Sequence, residues 1–283
     1  MAGPDLVQSI LARATSRTLP DGSQQQVLSL DAVRDLAEQS PNADKLDVER
    51  SALEHGVLPE RYLRNLHDIS LQDQLSLLKS RVLLIGLGGL GGHVLDILAR
   101  AGVGEILAMD GDRFEASNLN RQLLALETTL DMDKAEAARQ RVAAVNTSVR
   151  FRAEARFVDR LDLDEMLPGC GLAIDALGGL AMRLEMQRAA ANAGVPLVTA
   201  ALAGWSGYVS TVFPGESGPA QFLPASGSAA EDSLGTPAPA VAAAAAIQAG
   251  EAIKVLCGRT RPGQAQTLIF DLNDLSFERV RFG

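Results

Sequence analysis

The spacing of apolar residues changes along the chain and divides it into three stretches. Between Leu6 and Ala14, and again from Asp31 to Gln39, apolar residues recur at helical spacing. In the second segment Leu30, Val33, Leu36 and Ala37 fall on one face. Pro20-Asp21-Gly22 and Ser40-Pro41-Asn42 read as turns between them. Residues 1–60 are therefore expected to form an N-terminal helical arm. Helical apolar spacing of this kind means packing, either on the main domain or on a partner.

From Leu78 the pattern becomes strand, glycine turn, helix. Arg81-Val-Leu-Leu-Ile85 is a continuous apolar run closed by glycines, as in a parallel strand buried on both faces. A helix is expected from Leu90 to Ala101, then a strand over Glu105–Met109 and a helix over Lys134–Asn146. Further strands fit Val149–Ala153, Leu172–Asp175 and Pro196–Thr199, the last two separated by a helix from Met182 to Ala193. This alternation predicts an α/β fold, a doubly wound and mostly parallel sheet with helices on both faces. Beyond Trp205, Gly207–Phe213 alternates like a half-buried strand, and Pro214–Pro239 reads as a long mobile loop. A helix over Ala240–Leu256 and closing strands at Thr267–Phe270 and Phe277–Phe282 complete an expected C-terminal antiparallel extension.

Composition narrows the classes. The net charge of −9 over 283 residues argues against a nucleic-acid binder, although a local basic cleft stays open. Cys170 and Cys257 cannot build a disulfide framework or a four-cysteine zinc site, so no zinc is expected. The N-terminus lacks the basic-then-apolar pattern of a signal peptide, and no run of about 20 strongly apolar residues is present. A cytoplasmic protein with no membrane span is the expectation.

The chemistry concentrates after the first predicted strand. Gly86-Leu-Gly88-Gly-Leu-Gly91 fits G-x-G-x-x-G in the strand-to-helix context that the motif requires. Glycines let the backbone approach a phosphate, and a helix N-terminus offers free N–H donors and partial positive charge. Asp110 follows Gly91 by 19 residues, where an acid meets a ribose hydroxyl. The alternative is a glycine turn that serves packing alone. Asp110-Gly-Asp112, the run Ser117-Asn118-Leu119-Asn120-Arg121-Gln122 and then Lys134 place two cations beside the cradle. Arg grips phosphate oxygens in pairs and Lys acts as a point charge, a combination that suits a triphosphate better than a dinucleotide.

These motifs resemble the ThiF/MoeB/HesA family, bacterial relatives of ubiquitin-activating enzymes, over roughly Arg61–Gly283. The resemblance implies a Rossmann-like fold and an ATP- and Mg²⁺-dependent adenylation of the C-terminal glycine of a ubiquitin-like sulfur carrier protein. It implies that Gly86, Gly88 and Gly91 hold phosphates, that Asp110 holds the ribose with Asp112 beside it, and that Asn118, Arg121 and Lys134 contact phosphates. Arg121 and Lys134 would stabilise the charge that builds on transfer. Arg64, in Arg61-Tyr-Leu-Arg64-Asn, would reach into the ATP site of a second copy, which implies a homodimer. Arg183 also falls at a family arginine position, and the carrier's tail would thread under the loop between Pro214 and Pro239.

Three departures accompany the resemblance. The family's paired C-x-x-C zinc site is missing, and so is its loop cysteine, whose position falls near Glu231. The family's metal-binding aspartate and the asparagine after it are replaced by Gly178 and Gly179. Asp175 lies three residues upstream, about 10 Å along an extended chain, and cannot simply substitute. Loss of the carboxylate would cost several kcal/mol of transition-state stabilisation unless Asp112, Glu231 or Asp232 replaces it. Two main readings follow: an adenylyltransferase that activates a carrier, or a catalytically impaired relative that binds nucleotide or a carrier without efficient turnover. A nicotinamide oxidoreductase is a third, for which His55, His67 and His93 give little support.

Overall fold

The structure is a computed structural model that describes residues 4–222 and 230–281. In chain order its elements are α1 (Pro4–Arg13), β1 (Thr15–Thr18), β2 (Gln24–Leu28), α2 (Leu30–Gln39), α3 (Lys45–Glu54), β3 (Leu58–Pro59), α4 (Leu71–Lys79), β4 (Arg81–Ile85), α5 (Gly89–Ala101), β5 (Glu105–Met109), α6 (Lys134–Val145) and β6 (Arg150–Glu154). They continue as α7 (Arg160–Met166), β7 (Leu172–Asp175), α8 (Arg183–Asn192), β8 (Leu197–Ala203), β9 (Ser206–Val212), α9 (Ala230–Leu234), α10 (Ala238–Leu256), β10 (Thr267–Asp271) and β11 (Ser276–Val280).

The main sheet has eight strands in the order β11-β10-β9-β8-β7-β4-β5-β6. Strands β4 to β8 pair in parallel, and β8 through β11 pair antiparallel. The apolar run of β4 is explained by its two faces. Val82 and Leu84 enter a core shared with α5, α6 and α10, while Leu83 and Ile85 enter a core shared with α7 and α8. Burial on both sides leaves no position for a polar residue. β4 is followed on one side by β5 and on the other by β7, so chain order reverses beside β4. A crevice opens at the strands' carboxyl ends at such a switch point.

α10 is the one described helix long and apolar enough to cross a membrane. It lies instead against α5 and the sheet, with Ala240, Val241, Ala244, Ala245, Ala249 and Ala252 buried. Small side chains there let helix and sheet approach closely.

The N-terminal segment differs from a purely helical arm. β1 and β2 form an antiparallel hairpin closed by the Asp21-Gly22 turn, and β3 adds to β2 in parallel. The hairpin is polar and exposed on β1, so its sequence carries no alternating apolar signal. Leu6, Ile10, Leu28, Val33, Leu36 and Val48 form a small core there. A second cluster joins Val27, Leu46, Leu53 and Leu58 to Tyr62, Leu75 and Leu78, and so fuses the segment to α4. Polar contacts reinforce the joint. Tyr62 donates to the buried Glu49 carboxylate at 3.0 Å, as does Ser148 at 2.7 Å. Arg150 pairs with Asp44 and Asp47.

Candidate nucleotide site

The cradle forms where β4 turns into α5. Gly86 adopts φ +95°, and a Cβ there would lie 2.4 Å from the Ala176 carbonyl oxygen. A Cβ on Gly91 would lie 1.8 Å from the Gly86 carbonyl oxygen, so both glycines are demanded by the turn's own packing. Gly88 is different. A Cβ there would meet only the Gln122 amide, at 3.6 Å or more, so its bareness keeps the approach to the α5 N-terminus open.

A cavity of about 530 Å³ lies over this turn. It is lined by the ends of β4, β5, β7 and β8 and by α9, and it contains Gly86, Gly88, Asp110, Asp112, Asn118, Arg121 and Lys134. Gly91 stands behind the turn and does not line it. Asp110 accepts from the Leu87 N–H at 2.7 Å and from the Asp112 N–H at 2.9 Å, which fixes its carboxylate at the mouth of the cradle. Burial pushes this carboxyl above its ordinary pKa, with Lys134 partly offsetting the shift. Lys134 opens α6 and is buried, and its ammonium donates to Asp112 at 2.9 Å. The Arg121 guanidinium is held on its own loop by the Ser117 carbonyl at 3.0 Å and the Asn120 amide oxygen at 2.7 Å. It is in no ion pair among the described residues, so its charge is available to an anion. Asn118 caps the preceding turn by accepting from the Glu115 N–H at 3.1 Å.

Gln122 is a site residue that motif reading passed over. It is only 8% exposed, and its amide oxygen has no hydrogen-bond partner among the described residues. A buried amide oxygen beside an open glycine marks a place prepared for a polar ligand. No local signal separates it from its polar neighbours in sequence.

Asp175 ends β7, 1% exposed, in an ion pair with Arg183 at 2.8 Å. Arg183 also donates to the carbonyls of Leu177, Gly179 and Ala200, and Thr199 donates to Asp175 at 2.7 Å. Burial opposes the Arg183 charge, but Asp175 beside it prevails and raises its pKa. This pair shapes the loop after β7 and leaves Asp175 no freedom to serve the cavity. Glu231, from α9, accepts from the Gly179 N–H at 3.2 Å and lines the cavity, as does Asp232. α9 lies inside the stretch expected as a mobile loop, of which residues 223–229 lie outside the described residues.

Arg64 is exposed on the turn before α4 and does not line this cavity within the chain. Cys170 is buried and Cys257 half-buried, both free thiols. Burial and then Asp73 push the Cys257 thiol up to about 11, and burial raises that of Cys170.

No cluster of three or more His, Cys, Asp or Glu able to cage a metal occurs among the described residues. A magnesium ion carried by a nucleotide needs only one or two protein carboxylates beside the phosphates, and Asp112, Glu231 and Asp232 meet that need. A second, apolar cavity of about 490 Å³ adjoins the first. It shares Arg183, Ala201, Leu202 and Glu231 with it, and is lined further by Tyr208, Phe222, Leu234 and Ile269.

The ThiF family matches residues 61–283. Molybdopterin-synthase adenylyltransferase of Escherichia coli K12 is 31% identical over 228 residues, covering 78% of this chain and 91% of that protein. Sulfur carrier protein ThiS adenylyltransferase of the same organism is 33% identical over 217 residues, covering 75% and 86%. Among solved structures, E. coli MccB with ATP superposes with a TM-score of 0.68 at 22% identity, over 88% of this chain and 82% of that one. MccB in complex with N-formylated MccA gives a TM-score of 0.69 at 20% identity over 99% of this chain, a likeness of fold.

Proposed function

Because the chain belongs to the ThiF family, we propose that it is an ATP-dependent adenylyltransferase that activates the C-terminal glycine of a ubiquitin-like sulfur carrier protein. The observation that carries this reading is the cavity at the switch point. There a glycine cradle, the unpaired Arg121 and the buried Lys134 surround a volume suited to a nucleotide triphosphate.

In this reading the α-phosphate lies near the α5 N-terminus, whose free N–H groups receive it past Gly88. Asp110 accepts from a ribose hydroxyl. Lys134 exchanges Asp112 for phosphate oxygens, and Arg121 and Asn118 hold the departing end of the chain. The carrier's tail reaches the α-phosphorus through the adjoining apolar cavity, beneath the segment that includes α9. Its carboxylate oxygen attacks the α-phosphorus, and the bond to the β-phosphate oxygen breaks to give an acyl-adenylate and pyrophosphate. Positioned cations stabilise charge on the leaving pyrophosphate without reorganising. Magnesium, when bound, neutralises phosphate charge, and Asp112, Glu231 and Asp232 are the carboxylates placed to hold it. The enzyme works in the cytoplasm as a homodimer, with Arg64 of a second copy completing the site. Sulfur delivery falls to another protein, since neither cysteine faces the cavity.

The test is ATP–pyrophosphate exchange with carriers ending in Gly-Gly. Exchange that depends on the carrier and collapses in Lys134→Ala is expected. A chain that binds ATP by calorimetry but exchanges no pyrophosphate with any such carrier refutes the substrate assignment.

A further inference from the structure

The cavity holds more carboxylates than cations. Asp110, Asp112, Glu231 and Asp232 face Arg121, Lys134 and Arg183, and Arg183 is ion-paired to Asp175 while also attracting Glu231. A polyphosphate entering this space meets net negative charge unless a cation comes with it. Charged oxygens on both sides call for a hard divalent ion that accepts oxygen ligands, and magnesium fits. The buried, unpartnered amide oxygen of Gln122 independently marks the same cavity as built for a ligand.

We propose that Glu231, delivered by α9, is the carboxylate through which this protein holds the divalent ion of its bound nucleotide, in the space that Gly178 leaves open. The proposal rests on the ATP reading above and adds which residue serves the metal.

Geometry selects Glu231 from the four acids. Asp110 is fixed by two backbone N–H groups and buried at the cradle mouth. Asp112 is the partner of Lys134, so coordinating a metal there competes with that pair. Asp232 lines the cavity but makes no hydrogen bond or ion pair to the cradle loops among the described residues. Glu231 sits against the loop after β7: its Oε1 accepts from the Gly179 N–H, and its other oxygen has no hydrogen-bond partner among the described residues. A Cβ on Gly178 would lie 3.7 Å from Oε1, so the Glu231 carboxylate stands where a side chain at 178 would reach. α9 is held in place by the β8–β9 turn, where the Gly204 N–H donates to the Gly235 carbonyl at 2.8 Å and the Gly235 N–H returns to the Glu231 carbonyl at 2.9 Å. A carboxylate from a different segment thus occupies the ground vacated at 178.

The test is calorimetric titration of the full chain with AMPCPP, a nucleotide that cannot be cleaved at the α–β bridge, in EDTA and in magnesium. Metal and nucleotide share a coupling factor that is the same in both directions, and about tenfold tightening by magnesium is expected for the native chain. Glu231→Gln keeps an acceptor for the Gly179 N–H but removes the charge. It should bind AMPCPP in EDTA at least as tightly as the native chain, since one repulsive carboxylate is gone, while the magnesium gain falls to less than about twofold. A merely structural role for Glu231 would weaken both measurements together. Gly178→Asp in the Glu231→Gln background should restore the gain. The proposal is overturned if Glu231→Gln retains the native gain, or if Asp232→Asn loses it in its stead. A native chain that binds AMPCPP without any magnesium effect overturns the proposal while leaving the ATP reading standing. A native chain that binds no nucleotide overturns both.

Discussion

Replacing Arg183 by methionine isolates the charge that organises the loop after β7. Arg183 and Asp175 are 3% and 1% exposed at the side chain and 2.8 Å apart, so neither can turn to water when the other is lost. Methionine keeps the apolar stem and removes the guanidinium. Asp175 then retains only the Thr199 hydroxyl and the Leu177 N–H, and the carbonyls of Gly179 and Ala200 lose their Arg183 donor. Breaking one side of a buried pair costs about 3–5 kcal/mol, because an uncompensated charge stays inside. At about 2.1 cal/mol/K per residue, a 283-residue chain has an unfolding entropy of roughly 0.6 kcal/mol/K, which converts that loss to a Tm drop of about 5–8 °C. Thermal unfolding followed by circular dichroism at pH 7 reads it directly. The double variant Asp175→Asn with Arg183→Met removes both charges and should melt no lower than Arg183→Met alone, despite the additional change. A single-variant drop under about 2 °C, or a double variant whose loss is the sum of the two singles, refutes the view that charge pairing carries this energy.

Other predictions test the cradle, the thiols and the N-terminal joint. Gly91→Ala puts a Cβ 1.8 Å from the Gly86 carbonyl oxygen and should destabilise the fold by more than about 1 kcal/mol, whereas Gly88→Ala meets only the Gln122 amide. Gly88→Ala should therefore melt near the native Tm but weaken AMPCPP binding by about tenfold or more, and equal affinity would show that the phosphate does not pass over Gly88. With its thiol pushed up to about 11, Cys257 is thiolate in about one molecule per thousand at pH 8. Ellman's reagent should accordingly label the folded chain slowly and the urea-unfolded chain fast, and rapid labelling of the folded chain would contradict this. Burial raises the Glu49 carboxyl, outweighing Arg61, Ser148 and Tyr62. An acid with a raised folded pKa binds more protons folded than unfolded, so its contribution falls as pH climbs from about 4.3 through the elevated value. The stability of the native chain relative to Glu49→Gln should therefore decline across that window, and a rise would reverse the assignment.

The central parallel strands of the main sheet were legible because both of their faces are buried. The apolar run Arg81–Ile85, closed by glycines, and the segment Glu105–Met109 after the Gly102-Val-Gly104 turn predict β4 and β5 at the bounds observed. Of the helices that cover it, α5, α6, α8 and α10 follow from spacing to within two residues, whereas the short α7 was not foreseen. The N-terminal hairpin was not legible. Thr15–Thr18 is exposed along its whole length, so its strand geometry comes from pairing with β2 rather than from burial. α3 and α4 begin at capping boxes built on Asp44 and Ser70, signals present in the sequence that periodicity reading passed over.

The site divides along the same line between local and distant information. The cradle, Asp110, Arg121 and Lys134 could be named from sequence because they follow strand ends in the order the motif requires, and Asn118 through the resemblance to the ThiF/MoeB/HesA family. For the carboxylate missing at 178, sequence reading could name Asp112, Glu231 and Asp232 as replacements but could not choose among them. A glycine at a position where a carboxylate is expected looks like a loss when only its neighbours in sequence are considered. In three dimensions the absent side chain is what lets α9 bring its carboxylate to the loop, since an aspartate at 178 would set a second negative charge against Glu231. The two positions are 53 residues apart, and the fold brings them together through the Gly179–Glu231 hydrogen bond and the open space at 178. Gly178→Asp alone and Glu231→Gln alone are accordingly each expected to weaken magnesium-dependent binding of AMPCPP, the first by crowding two carboxylates and the second by removing one. Their combination is expected to recover it, and only exchangeable carboxylates at one metal position produce that pattern.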